Sequence, residues 1–144
     1  MTAFPSSDMP DIIRITAGPL KFVAHLELRD APATCAAFRE LLPLRSKLIQ
    51  ARWSGESAWI PLGELDLKLG AENAIHSPSP GQLLLYPHGI SETEILFPYG
   101  RTRFACREGD LTGNHFLTIV EGSEQLAQLG ELVLWKGAQD IVFE

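Results

Sequence analysis

Between Lys21 and Arg29 apolar and polar side chains alternate. Phe22, Ala24, Leu26 and Leu28 fall on one face; Val23, His25, Glu27 and Arg29 fall on the other. That period of two predicts a half-buried strand. Asp11–Thr16 before it is rich in β-formers, and Ala17-Gly18-Pro19 supplies a turn, so the two runs predict a hairpin. At Asp30 the period changes. Thr34, Phe38, Leu41 and Leu42, with Cys35 beside them, recur at helical spacing. Asp30 is the expected N-cap, Pro32 suits the first turn and Pro43 ends the run, which predicts a helix over Ala31–Leu42. Such a helix is too short to stand alone and must pack on something.

The rest of the chain reads mostly as short strands. Ser46–Trp53 and Ser57–Ile60 flank a turn at Gly55. Leu65, Leu67 and Leu69 alternate again, and Ala71–Gly81 is a Pro-rich loop. Gln82–Tyr86 is an apolar strand followed by a Pro87-His88-Gly89 turn. Thr93–Tyr99 is a strand broken by Pro98, and Arg101–Arg107 is a further strand candidate before the turn-rich Glu108–Asn114. His115–Glu121 is a strand that Gly122 ends. Ser123 can cap a second short helix over Ser123–Leu129, with Leu126 and Leu129 inward and Gly130 at its C-terminus. Leu132–Lys136 and Asp140–Glu144 close the chain as β. Eight or nine short strands with two short helices predict a mainly β protein, a closed barrel or a sandwich.

Composition sharpens this picture only a little. The chain has 144 residues, 45% of them apolar, enough for one packed domain. We expect that domain over 11–144, after a loose, flexible N-terminus at 1–10. Twelve basic against eighteen acidic residues give a net charge of −6, with no basic cluster beyond Arg101-Thr102-Arg103. No nucleic-acid partner is expected. Met1–Pro10 lacks the apolar stretch of a signal peptide, and no apolar run approaches the ~20 residues of a membrane helix. The expectation is a cytoplasmic protein with no membrane partner and two reduced thiols, Cys35 and Cys106.

The order of elements carries a resemblance. Pro32-Ala33-Thr34 through Phe38-Arg39 resembles the Pro-x-Thr…Asn-Phe-Arg helix of cyclophilins, and Val120-Glu121-Gly122 resembles their strand exit before the second helix. The resemblance implies a closed eight-stranded antiparallel β-barrel with two short capping helices, one at each end. The Phe-His-Arg and Met-x-Gln-Gly-Gly-Asp segments of true cyclophilins are absent, and only Arg52 falls near the place of the catalytic arginine. The blocks Arg52–Gly55, Gly89–Gly100, Gly113–Gly122 and Leu134–Ile141 are more similar to a group of small bacterial cyclophilin-like proteins of uncharacterised function.

No metalloprotease, Cys-x-x-Cys, phosphate-loop or nucleophile-elbow motif is present. What remains is polar and aromatic side chains near turns. His88 stands in a Pro-His-Gly turn with Glu92 and Glu94 close behind; His115 follows Asn114; His76 lies in the Pro-rich loop. A histidine facing a carboxylate suits proton transfer, and His88, Glu92 and His115 are the catalytic candidates. The plainer alternative leaves His76 and His88 solvated and His115 hydrogen-bonded at a barrel rim. Arg52, Trp53, Trp59, Tyr86 and Tyr99 combine a guanidinium with aromatic walls, which suits a carboxylate, a peptide carbonyl or a planar ring. Arg52, Trp53, Trp59, Tyr99 and Asn114 are the binding candidates. Arg52 and Trp53 are expected on opposite faces of one strand. The alternative makes the tryptophans core and pairs Arg52 with Glu56 or another surface acid. Cys35 reads as core, and Cys106 as core or inert.

These readings converge on a protein that binds or acts on a small polar metabolite, a carboxylate foremost, in a surface groove holding His88 or His115 together with Arg52 and a carboxylate such as Glu92. No cofactor and no metal is expected, and self-association is left open. Two alternatives stand beside it: a peptidyl-prolyl isomerase using Arg52, and a non-catalytic structural or interaction subunit.

Overall fold

The computed structural model describes residues 11–144; the expected flexible segment at 1–10 lies outside the described residues. Two alternating runs, β1 (Ile12–Ala17) and β2 (Leu20–Leu26), form the hairpin read from the sequence. Helix α1 (Pro32–Arg39) leads to β3 (Leu44–Gln50) and β4 (Gly55–Gly63). After a long irregular stretch come β5 (Ala74–Ile75), β6 (Gln82–Tyr86) and β7 (Thr93–Thr102). A small hairpin, β8 (Ala105–Cys106) and β9 (Gly109–Asp110), precedes β10 (Gly113–Glu121). A 3-10 turn at Ser123–Gln125 runs into α2 (Leu126–Trp135), and β11 (Gln139–Phe143) ends the fold.

Eight strands pair in the order β2-β1-β11-β3-β4-β7-β6-β10, and β10 pairs back onto β2. Every pairing is antiparallel, so the sheet is a closed eight-stranded barrel with β5 appended to β10. Inward positions alternate as the period of two requires: Ile13, Ile15, Phe22, Ala24, Leu48, Ile60, Leu83, Ile95, Phe97 and Ile141 fill the interior. The helices sit at opposite ends. Phe38 of α1 packs edge-on against Phe116 and Phe143 with ring centroids 4.9 and 5.5 Å apart. At the other end α2 buries Leu126, Leu129 and Val133. No helix among the described residues is long and apolar enough to cross a membrane.

Several local expectations are corrected. Asp30 does not cap α1; the N-cap is Ala31, without a side-chain bond. The carboxylate of Glu72 accepts the backbone N–H groups of Ala33 and Thr34 and the Thr34 hydroxyl, from 38 residues beyond Thr34. Leu65, Leu67 and Leu69 form no strand; the stretch is irregular, Leu67 and Leu69 pack against the core, and Leu65 is exposed. Pro98 does not break β7: its carbonyl accepts the Gly81 N–H, so its missing N–H faces the β6 side, past the last β6–β7 pair at Leu84 and Leu96. Leu132–Lys136 is not a strand. Gly130 lies inside α2, and a Cβ there would stand 2.4 Å from Cε1 of Tyr99. The glycine serves close packing of α2 on β7 rather than helix termination.

Candidate functional site

A second apolar cluster lies outside the barrel wall. Leu84 and Tyr86 of β6 and Leu96 of β7 point away from the interior and are covered by Ala51, Phe104 and Leu111. The cover is made of the 51–54 segment and the β8–β9 hairpin, tied together by Ser54, whose Oγ accepts the Ala105 N–H and donates to the Ala105 carbonyl. The cover does not close over the whole wall. A cleft of about 320 Å³ remains, lined by Arg52, Trp53, Trp59, Ser91, Glu94 and Cys106 among others.

Glu94 is the unusual member. It is only 7% exposed, yet among the described residues no hydrogen bond or ion pair reaches its carboxyl. On β7 it shares the outward face with Leu96, while Ile95 and Phe97 point into the barrel. Across the ladders it stands opposite Pro61 of β4 and Tyr86 of β6, neither of which answers its charge. Burial, reinforced by the nearby charge of Glu92, raises its pKa to about 8. Glu94 therefore enters neutral solution as a carboxylic acid, able to give a proton and to take it back.

The aromatic and cationic residues lie around this acid. Trp59 on β4 is half-buried; Trp53 is half exposed and carries the Arg52 guanidinium over its ring, 5.1 Å from the centroid. The expected division of Arg52 and Trp53 between opposite strand faces does not occur, because β3 ends at Gln50 and residues 51–54 form an irregular bend. Nor does Arg52 pair with Glu56, whose Oε1 accepts the Arg101 N–H at 2.7 Å. Arg107 and Glu108 complete the rim, and Cys106 places its Sγ 3.7 Å from Oε1 of Glu108.

The other sequence candidates go elsewhere. His88 is exposed and does not line this cleft; its φ is 108° and its Nε2 is 3.8 Å from Glu64. His76 bonds the adjacent Ser77 hydroxyl. Tyr99 donates its hydroxyl to Gln50 at 2.6 Å, near α2 rather than in the cleft. Asn114 is buried, and its amide joins Glu72, Thr34 and Gly70 in the scaffold that holds the 64–73 segment. Glu92 acts on the cleft only through its charge. The single shared groove of His88 or His115 with Arg52 and Glu92 is thus divided by the structure into separate places.

His115 belongs to a polar network on the seam where β10 closes onto β2. Its Nε2 lies 2.7 Å from Thr118 Oγ1, Thr118 donates to Glu27 at 2.6 Å, and His25 Nε2 meets the same Glu27 oxygen at 2.9 Å. A bulge between His115 and Leu117 puts residues 115 and 118 on one face, which strict alternation would forbid. Burial alone would raise Glu27, but the Thr118 bond and the two histidines outweigh it and hold the carboxyl below the usual range. Burial lowers His115, against the pull of Glu27. Among the described residues no three His, Cys, Asp or Glu side chains are arranged to hold a metal ion. Cys35 lies on the buried face of α1, and that burial pushes its thiol up to about 11.

It is Glu94, and not the sequence candidate Glu92, that lines the cleft. The signal was a carboxylate inside an otherwise apolar strand run, on the face opposite Ile95 and Phe97.

The same fold recurs in proteins of low sequence identity. McbB, solved in complex with tryptophan, matches with a TM-score of 0.68 and 16% identity over 92% of this chain and 44% of that one. The present chain therefore spans less than half the length of McbB. The hypothetical protein AF2241 from Archaeoglobus fulgidus matches with a TM-score of 0.59 and 19% identity over 92% of both chains. No curated protein matches the chain in sequence. Residues 13–144 match a family described as a protein of unknown function, and the chain belongs to that family, DUF3830.

Proposed function

We propose that the cleft outside β4 and β7 binds a small carboxylate-bearing metabolite with a flat apolar part, and that Glu94 serves it as a proton donor and acceptor. The observation that carries this reading is Glu94, 7% exposed as a residue and with no protein partner for its carboxyl, at an aromatic-lined opening. A buried acid without partners costs stability, so its place in a cleft needs an explanation that packing does not supply. Trp59 and Trp53 offer planar surfaces, and Arg52 offers a two-donor fork for a carboxylate at the rim. A purely structural role would be better served by an apolar residue at position 94. McbB, which shares this fold over 44% of its chain, was solved in complex with tryptophan, a carboxylate with a flat ring; that agrees with the reading without carrying it. Membership of a cyclophilin-like group is part of the same proposal, supported by the closed barrel with a helix at each end.

The test is a thermal-shift titration of wild type, Glu94→Gln and Arg52→Lys with a library of small carboxylates. The reading expects ligands that stabilise wild type, with the Lys variant weakened because a point charge cannot reproduce the guanidinium fork. Equal shifts in wild type and Arg52→Lys for every ligand that binds would remove Arg52 as the anchor. No shift with any carboxylate would remove the site.

A further inference from the structure

The surroundings of Glu94 say more about the ligand than that it has a carboxylate. The groups facing Glu94 from each packed element are few. Glu92 lies on its own segment, β6 offers Tyr86, and β4 offers Pro61 and Trp59. The Tyr86 hydroxyl oxygen accepts the Ile90 N–H at 2.9 Å and makes no bond to Glu94. The hairpin contributes Cys106, Arg107 and Glu108 at the rim, and the 51–54 segment contributes Arg52, whose guanidinium is stacked on Trp53. The less exposed part of the cleft holds the Glu94 carboxyl and the Trp59 ring, and the arginines are among its exposed members. Rings and carboxyls together receive cations. Arg52 over Trp53 shows a ring of this cleft already doing so within the protein itself.

Resting on the carboxylate-binding reading above, we infer that the ligand also carries a protonated amine, which enters over Trp59 and forms an ion pair with Glu94, so that the cleft takes an amino acid or a close zwitterionic relative. The charge balance of the step is simple. The free protein presents Glu94 as a neutral acid, and the ligand arrives as an ammonium ion. The bound state is ammonium against carboxylate, so the Glu94 proton leaves to solvent as the pair forms. No bond other than the O–H bond is broken. The raised pKa of the free acid fits this exchange, since an acid already ionised would have no proton to release.

Three probes with one ring separate the ideas: 3-phenylpropionate, 2-phenylethylamine and phenylalanine. Each is titrated calorimetrically in two buffers of different ionisation heat, which counts protons released. We expect phenylalanine and phenylethylamine to bind wild type at pH 7 with release of about one proton, fading by pH 9 as free Glu94 ionises. Glu94→Gln should abolish the release and weaken both amines roughly 10–100-fold, the loss of a charge-assisted contact. Arg52→Lys should weaken phenylalanine and phenylpropionate while leaving the proton release intact. Binding of phenylpropionate as tight as phenylalanine, without proton release, would overturn the amine inference and leave the carboxylate reading standing. Absence of binding by all three at millimolar concentration would overturn both. Circular dichroism of the Gln variant separates lost binding from lost folding.

Discussion

Glu94 and Glu27 are the same residue on the outer wall of the same barrel, and their surroundings drive them in opposite directions. Glu27, at the β2–β10 seam, receives a hydroxyl and sits beside two imidazoles, and is held in its ionised form. Glu94, on β7, is buried among rings and methyl groups with another carboxylate near it, and is held protonated to about pH 8. One carboxyl closes the barrel; the other is left without a partner beside a cleft. The difference lies in whether neighbouring side chains answer the charge, and it separates a carboxyl bonded into the barrel seam from one left open toward a cleft.

The comparison predicts opposite pH slopes. Folded Glu94 keeps a proton that the unfolded chain gives up near 4.5, so its contribution to stability falls as pH rises from that value through about 8. Glu94→Gln should remove this loss. Urea unfolding at pH 5 and pH 9 should show the variant gaining on wild type by roughly 3–5 kcal/mol between the two. A constant difference at both pH values would mean that Glu94 is not held neutral.

The seam should respond the other way. Glu27 has a depressed folded pKa, so its stabilisation is present above its unfolded value and is lost as pH falls through the folded one. His115, also depressed, adds a cost as acid forces its protonation. Glu27→Gln should cost about 1–3 kcal/mol at pH 7, the loss of bonds to a charged acceptor, and that cost should shrink in acid. Chemical denaturation of wild type and variant at pH 7 and pH 3 measures it.

Smaller effects test the two neighbourhoods. Gly130→Ala would normally help a helix interior by up to ~1 kcal/mol, but its Cβ would meet the Tyr99 ring. We expect net destabilisation of about 1–3 kcal/mol, read in the same urea experiment. Arg52→Lys should change folding stability by under ~0.5 kcal/mol, since Arg52 is exposed and holds only Trp53. A large loss would show that Arg52 is part of the cover rather than a ligand contact.

Much of the barrel was legible because its evidence is local. Phe22, Ala24 and Leu26 announce β2 by alternation, and the Pro32 to Phe38 stripe announces α1. Where the sequence misled, the cause was tertiary. Gly130 reads as a helix end until Tyr99 is seen against it. Asp30 reads as a cap until Glu72 is found in that role. The site was less legible, because grouping side chains requires knowing the strand neighbours. Arg52, Trp53 and Trp59 do share a cleft, yet His88 and His115 fall on different parts of the wall. The bulge at Phe116 that joins His115 to Thr118 leaves no trace in the alternation of residue types.

The Glu72 clamp on α1 links the order in which parts of the chain can become firm. A helix of 8 residues has little persistence of its own, and its first amide hydrogens are held by a carboxylate from a segment beyond β4. That segment is in turn fastened through Asn114 to β10. The first turn of α1 therefore cannot acquire its protection until chain synthesised much later has docked. Local proximity in sequence sets the shape of this helix, while its permanence is conferred from a distance, and the amides of Ala33 and Thr34 should open and close together with the 64–73 segment rather than with the hairpin that precedes them.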